Sequence, residues 1–338
     1  MTARTPRRAA LAGLLTATAL TLVACGGGGD ESDDDASGAE GGSEGAAASD
    51  ELTSIRVGVL PIADSQPIQV GIQEGIFEAH GLDVEVVSGQ GGGATLPAVL
   101  SGELDFAVGN PVSVLLAQAE GIETRIVSGW VDSAAEGADA FGLVVSADSD
   151  IADASDLGGR SVAANTLLSQ PELALRESVR LAGGDPEAVE LVEIPFPDAQ
   201  AQLENGQVDA ALLVEPFLGQ AQAAGHEVIL YPYVESIEGG QPAMLSYTSV
   251  ATTEENPELV EAFRAAVEET MALVGEDDQL VRDVLPDVMD IPQEAADNLV
   301  LAEFTSELNI PALERMAELM AEFGFTSEVV DVMALVVE

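Results

Sequence analysis

From residue 52 onward the apolar positions follow two spacings in turn. Short, nearly uninterrupted apolar runs at 55–60, 82–87, 106–108, 124–128, 141–145, 191–194, 210–214 and 228–230 have the length of buried strands. Between them the spacing becomes helical. Ile68, Ile72, Ile76 and Ala79 share one face of a helix that Pro67 opens and Gly81, a natural left-handed cap, closes. Read in order, residues 55–128 spell βαβαβαβ, which requires a parallel sheet covered on both faces. The rhythm restarts after 141–145: a strand runs to Ala163, and a helix follows in which Ser169 and Glu172 have the spacing of a capping box and Gly183-Gly184 is the stop. After Asn256-Pro257 the chain turns helical, with helices expected at 257–274, 279–285, 292–299 and 311–323.

Two stretches a hundred residues apart repeat one order of elements. Leu-Ser-Gly-Glu-Leu-Asp-Phe-Ala-Val-Gly-Asn-Pro at 100–111 and Leu-Glu-Asn-Gly-Gln-Val-Asp-Ala-Ala-Leu-Leu-Val-Glu-Pro at 203–216 each read as a helix end, a Gly turn, an Asp, a buried strand, a polar residue and a Pro. Pro favours the first turn of a helix and holds the residue before it extended, which puts Asn110 and Glu215 where a strand ends and a helix begins. In open α/β sheets ligands bind beyond such strand ends, where helix N-termini present unpaired N–H groups. Two copies imply two α/β lobes facing one cleft, although ordinary βα units would read the same way.

Composition adds an address. Arg4, Arg7 and Arg8 precede an apolar run from Ala9 to Ala24 that ends at Cys25, the only cysteine. The run is short for a membrane span and has the basic-then-apolar order of an export signal. Leu22-Val23-Ala24-Cys25 resembles a bacterial lipobox, which implies cleavage after residue 24 and lipid attachment at Cys25, with the protein held on the outer face of the cytoplasmic membrane. Residues 25–51, rich in Gly, Ala, Ser, Asp and Glu, lack the apolar surface needed to fold and read as an acidic tether. Charge excludes one large class of partner. Sixty acidic residues stand against eleven arginines and no lysine, a net charge of -49, so a duplex or an anionic membrane surface would repel the chain.

Gly75-Ile-Phe-Glu-Ala-His-Gly-Leu-Asp-Val-Glu85, Asp156-Leu-Gly-Gly-Arg-Ser-Val-Ala163, Pro257-Glu-Leu-Val-Glu-Ala-Phe263 and the two repeated stretches resemble, in order and behind a lipobox, the ABC-transporter substrate-binding proteins of the nitrate/sulfonate/taurine and thiamine-pyrimidine-precursor group. The resemblance implies a type II periplasmic-binding-protein fold. Two α/β lobes joined by a two-crossing hinge would close on a small molecule and hand it to a membrane permease. The expected division is 1–24 signal peptide, 25–51 tether, 52–143 plus 248–338 first lobe, and 144–247 second lobe. A monomer is expected, without cofactor or metal.

Strand ends then nominate the ligand site. The first lobe offers Asp64, Ser65, Gln66, Gln90, Gly92, Gly93, Asn110 and Trp130; the second offers Asn165, Thr166 and Glu215. The glycines would let backbone N–H groups approach a ligand, Trp130 would either stack on a flat ligand or fill the core, and Asn110 and Glu215 would be helix caps or opposing jaws. Arg56, Arg125 and Arg160 fall at strand starts, away from the site. A site without arginine favours a neutral or weakly cationic ligand with N–H donors, such as a pyrimidine-type heterocycle, over a sulfonate or nitrate. Catalysis is not expected, because the sole Cys is assigned to lipid and neither His80 nor His226 falls among the site residues.

Overall fold

The computed structural model describes residues 52–337 except 90 and 238; the signal segment, Cys25, the tether and Gln90 lie outside the described residues. Among the described residues eleven strands form two mixed sheets. The first contains β1 (Thr53–Val59), β2 (Leu82–Ser88), β3 (Phe106–Gly109), β4 (Thr124–Asp132), β10 (Pro242–Ser249) and β11 (Glu303–Phe304), in the order β2-β1-β3-β10-β4-β11. The second contains β5 (Phe141–Val145), β6 (Ser161–Ala164), β7 (Glu190–Glu193), β8 (Ala210–Val214) and β9 (Glu227–Leu230), in the order β7-β6-β8-β5-β9. β1 to β4 run in one direction, as the βαβαβαβ rhythm requires, but β10 lies antiparallel between β3 and β4. The second sheet repeats the arrangement, with β5 antiparallel between β8 and β9. The expectation of a purely parallel sheet is therefore corrected. Each inserted strand is the one that carries the chain into its sheet across a lobe boundary, a long-range event that local periodicity does not encode.

The crossings follow from strand membership. β5 belongs wholly to the second sheet and β10 wholly to the first, so the chain passes between sheets within 133–140 and 231–241, a few residues before the expected positions.

The repeated stretches supply β3 and β8, the third strand of each sheet. Gly102 and Gly206 turn the chain with φ of 73° and 63°, a left-handed geometry that only Gly adopts without strain. The following Asp has the same task in both lobes. Asp105 Oδ2 accepts the Arg56 N–H at 2.7 Å and Asp209 Oδ2 accepts the Ser161 N–H at 2.8 Å, tying the start of the third strand to the start of its neighbour. Asn110 then caps the helix Pro111–Ala119 through the Ser113 N–H at 3.0 Å.

Helical expectations hold with two differences: Ser169 does not cap the helix Gln170–Leu181 with its side chain, because its hydroxyl donates to the Thr166 carbonyl at 2.6 Å, and the first helix is broken. The helix opened by Pro67 breaks at Gly75, whose φ of 71° separates Pro67–Gln73 from Ile76–Ala79. The C-terminal helices Pro257–Glu276, Gln279–Met289, Gln293–Asp297 and Ile310–Glu322 pack on the first sheet and on one another, with the Phe263 ring stacked on Phe106 at 3.9 Å. No described helix is long and apolar enough to cross a membrane.

Candidate functional site

Both sheets present the C-terminal ends of their parallel strands to a common cavity. Leu60, Ile62, Asp64, Gly91, Asn110, Ala243 and Met244 line it from the first lobe; Phe141, Asn165, Pro171, Phe196, Val214 and Tyr233 line it from the second. The lobes approach closely here. A Cβ built on Gly91 would lie 3.0 Å from Thr166 Oγ1 and 4.0 Å from Asn165 Nδ2, so Gly91, with φ of 116°, is the point where a first-lobe loop meets the second lobe.

Asp64 dominates the electrostatics. It is 4% exposed, on a short turn of helix at Ala63–Ser65, and its Oδ1 has no hydrogen-bond partner. Burial first, then the Asp139 and Glu215 carboxylates, push its carboxyl up to about 8, while the Ala302 N–H pulls the other way. Asp139, on the crossing before β5, is raised to about 6 by burial, against the N–H groups of Ala134, Ala140 and Phe141. The Tyr233 phenol is driven well above 10 by burial, Asp139 and Asp64. Facing Asp64 across the cavity, Asn165 Oδ1 is also buried without a partner. Each lobe thus brings to the cavity lining one residue with a buried, unpartnered oxygen, and such oxygens are costly unless a donor reaches them.

The remaining sequence-derived candidates divide. Gly92 and Gly93 begin the helix Gly92–Leu100 beside the cavity, with Gly91 in direct contact. Thr166 sits at the rim opposite Gly91. Ser65 and Gln66 do not line the cavity. Ser65 is buried with its hydroxyl 4.0 Å from Met244 Sδ, and Gln66 Nε2 donates to the Ile62 carbonyl at 2.9 Å, so both stiffen the turn that presents Asp64.

Trp130 is not a stacking platform. It is fully buried, and its indole N–H donates to the Asp64 backbone carbonyl at 2.9 Å, which makes it the core filler behind that turn. Glu215 is not a jaw. Its carboxylate turns back to accept from the Gly219 N–H at 2.9 Å and the Val300 N–H at 3.3 Å, while its carbonyl accepts the Ala63 N–H at 3.0 Å. Glu215 therefore ties the end of β8 to two segments of the first lobe. His226 is likewise less open than its place after a Gly suggests, with its side chain 9% exposed.

Sequence reasoning missed the aromatic wall. Phe141 and Tyr233 stack at 4.3 Å, and Phe196 adds a third ring. Phe141 opens a strand and Phe196 and Tyr233 lie in short helices, so nothing in local periodicity distinguishes them from core. Among the described residues no arginine lines the cavity; arginines are engaged at strand starts and on helix surfaces, as in Arg160 with Asp150 at 2.7 Å and Arg176 with Glu172 at 2.8 Å. Among the described residues no group of three or more His, Cys, Asp or Glu could hold a metal ion.

Comparison with known proteins places this geometry. Residues 62–279 match the family model described as NMT1/THI5 like. The formylaminopyrimidine-binding protein of Halalkalibacterium halodurans is 24% identical over 281 residues, covering 81% of this chain and 80% of its own. A provisionally named ABC transporter periplasmic binding protein of Brachyspira hyodysenteriae is 26% identical over 200 residues; there the match spans 55% of this chain and little more than half, 56%, of the relative. Among solved structures, the alkanesulfonate-binding protein SsuA of Xanthomonas axonopodis pv. citri bound to MOPS superposes with a TM-score of 0.72 at 18% identity, covering 85% of this chain and 99% of that one. These relatives are binding proteins, not enzymes. The chain belongs to the NMT1/THI5-like family and has the two-lobed fold of the periplasmic solute-binding proteins.

Proposed function

We propose that this protein is the extracytoplasmic solute-binding component of an ABC importer, held to the membrane through lipid on Cys25, which closes its two lobes on a small nitrogen heterocycle and delivers it to a permease. The observation that carries the choice of ligand is the unpartnered Asp64 Oδ1 in a cavity without a basic side chain. An anion there would find no basic side chain and would lie near the Asp139 and Glu215 carboxyls, whereas a ring with N–H donors would satisfy Asp64 and Asn165 and lie against Phe141, Tyr233 and Phe196.

Native mass spectrometry of the purified protein, followed by thermal denaturation with aminopyrimidines, alkanesulfonates and nitrate, tests the reading. A retained heterocycle, or stabilisation by aminopyrimidines that reaches about 2.7 kcal/mol at a hundred times Kd, is expected. Stabilisation by sulfonates or nitrate alone would overturn it.

A further inference from the structure

We propose that the occupant of the cleft is a planar monocation bearing N–H donors, an amidinium or a protonated amino-heterocycle, whose charge rests on the Asp64 carboxylate and whose ring lies beside Phe141 and Tyr233. The inference rests on the solute-capture reading and sharpens it to one charge state.

Three observations lead there independently. The cavity offers two open acceptors from opposite lobes, Asp64 Oδ1 and Asn165 Oδ1, which calls for at least two donors on one ligand. Three carboxyl groups, Asp64, Asp139 and Glu215, are buried at 4%, 2% and 1% exposure, the latter two acting on Asp64, and among the described residues no basic side chain lines the cavity at Asp64. Glu215 is compensated by two N–H groups and, at longer range, by Arg282; Asp139 Oδ1 accepts from Ala134 but its Oδ2 is open. Asp64 is therefore the carboxyl at the cavity whose charge awaits a counter-charge. Finally, the stacked Phe141 and Tyr233 rings and Phe196 give an apolar wall whose π-faces attract a delocalised cation.

A neutral ring would leave Asp64 protonated, whereas a cation supplies the counter-charge that lets it ionise where it is buried. The charged groups acting on Asp64 are Asp139 from the crossing before β5 and Glu215 from the end of β8, which disfavour a further negative charge, while the Ala302 N–H favours it; Tyr233 from the helix Pro232–Ser236 is near but stays neutral. With its carboxyl at about 8, Asp64 holds a proton at pH 7, and capture of the cation breaks that O–H bond and releases the proton to solvent. Binding should accordingly release close to one proton at pH 7, and affinity should rise about tenfold per pH unit up to pH 8, where it levels off.

The test uses benzamidine and 4-aminopyridine as planar cations, benzamide as a neutral isostere and benzenesulfonate as an anion. Protein freed of retained solute is titrated in a calorimeter at pH 6, 7 and 8, in phosphate and in Tris, as wild type and as Asp64→Asn. Expected are binding of a cation at least tenfold tighter than benzamide, a heat that differs between buffers in proportion to one released proton, and loss of the pH dependence in D64N. Benzamide binding as tightly as the cations, or equal heats in the two buffers at pH 7, overturns the charge assignment while leaving solute capture intact. Preference for benzenesulfonate overturns the charge assignment and the heterocycle reading, while solute capture stands. If neither cation binds, the charge assignment fails, and solute capture is then decided by the mass of any retained ligand. Circular dichroism confirms that D64N is folded, and the wild-type pH series does not depend on the variant.

Discussion

Replacing Asp64 by Asn removes the one acid at the cavity that the fold holds far from its ordinary ionisation. The native carboxyl is raised to about 8 from 3.8, chiefly by burial, and at 4% exposure solvent offers little screening. A raised native value means that the folded state binds the proton more tightly than the unfolded chain. Its stabilising contribution is complete below pH 4 and is lost as pH rises to 8. Each pH unit between those values costs about 1.4 kcal/mol, so the ligand-free wild type should lose about 4 kcal/mol between pH 5 and pH 8 that D64N does not lose. The assay is urea unfolding of both proteins at pH 5, 6, 7 and 8. Asp139, raised to about 6, titrates in both and largely cancels in the difference. A stability difference that stays constant within about 1 kcal/mol over this range would refute the account of Asp64 as a buried, uncompensated acid.

Glu215→Ala should destabilise the closed form by about 1–3 kcal/mol for each of the two N–H groups it abandons, at Gly219 and Val300; an unchanged urea midpoint would show that water replaces the carboxylate at no cost. Gly91→Ala places a Cβ 3.0 Å from Thr166 Oγ1 at a φ of 116°, so solute affinity should fall roughly 5- to 150-fold, about 1–3 kcal/mol, with the fold intact by circular dichroism; equal affinity would mean that the lobes do not close on this loop. Trp130→Phe loses the indole bond to the Asp64 carbonyl and some core volume, which should lower stability by about 1–3 kcal/mol in urea unfolding, and an unaltered midpoint would remove Trp130 from its supporting role.

Much of the site was legible for local reasons. Asn110 caps its helix because Pro111 forces a strand-to-helix turn, and that turn puts it at the cavity. Asp64 and Asn165 follow the same logic, each just beyond a strand that ends at the cleft. Glu215 has the same local grammar as Asn110, yet its carboxylate turns away. The difference is Val300, eighty-five residues distant, whose N–H provides a partner outside the cleft. Trp130 was ambiguous because a residue past a strand end points either to the cavity or to the core, and only the packing of the Ala63–Ser65 turn decides which.

From the residues alone come the βα order, the two Gly-turned strands, the Pro-led helices and a strand-end site poor in arginine. These depend on spacing and on the conformational limits of Gly and Pro, which act over a few residues. The tertiary structure alone decides that β5 and β10 insert antiparallel into their sheets, that Phe141, Phe196 and Tyr233 form one wall, and that Asp64, Asp139 and Glu215 are buried together. Those outcomes require segments far apart in the chain to share one volume, and a carboxyl's ionisation depends on everything packed within that volume, whatever its position in the sequence.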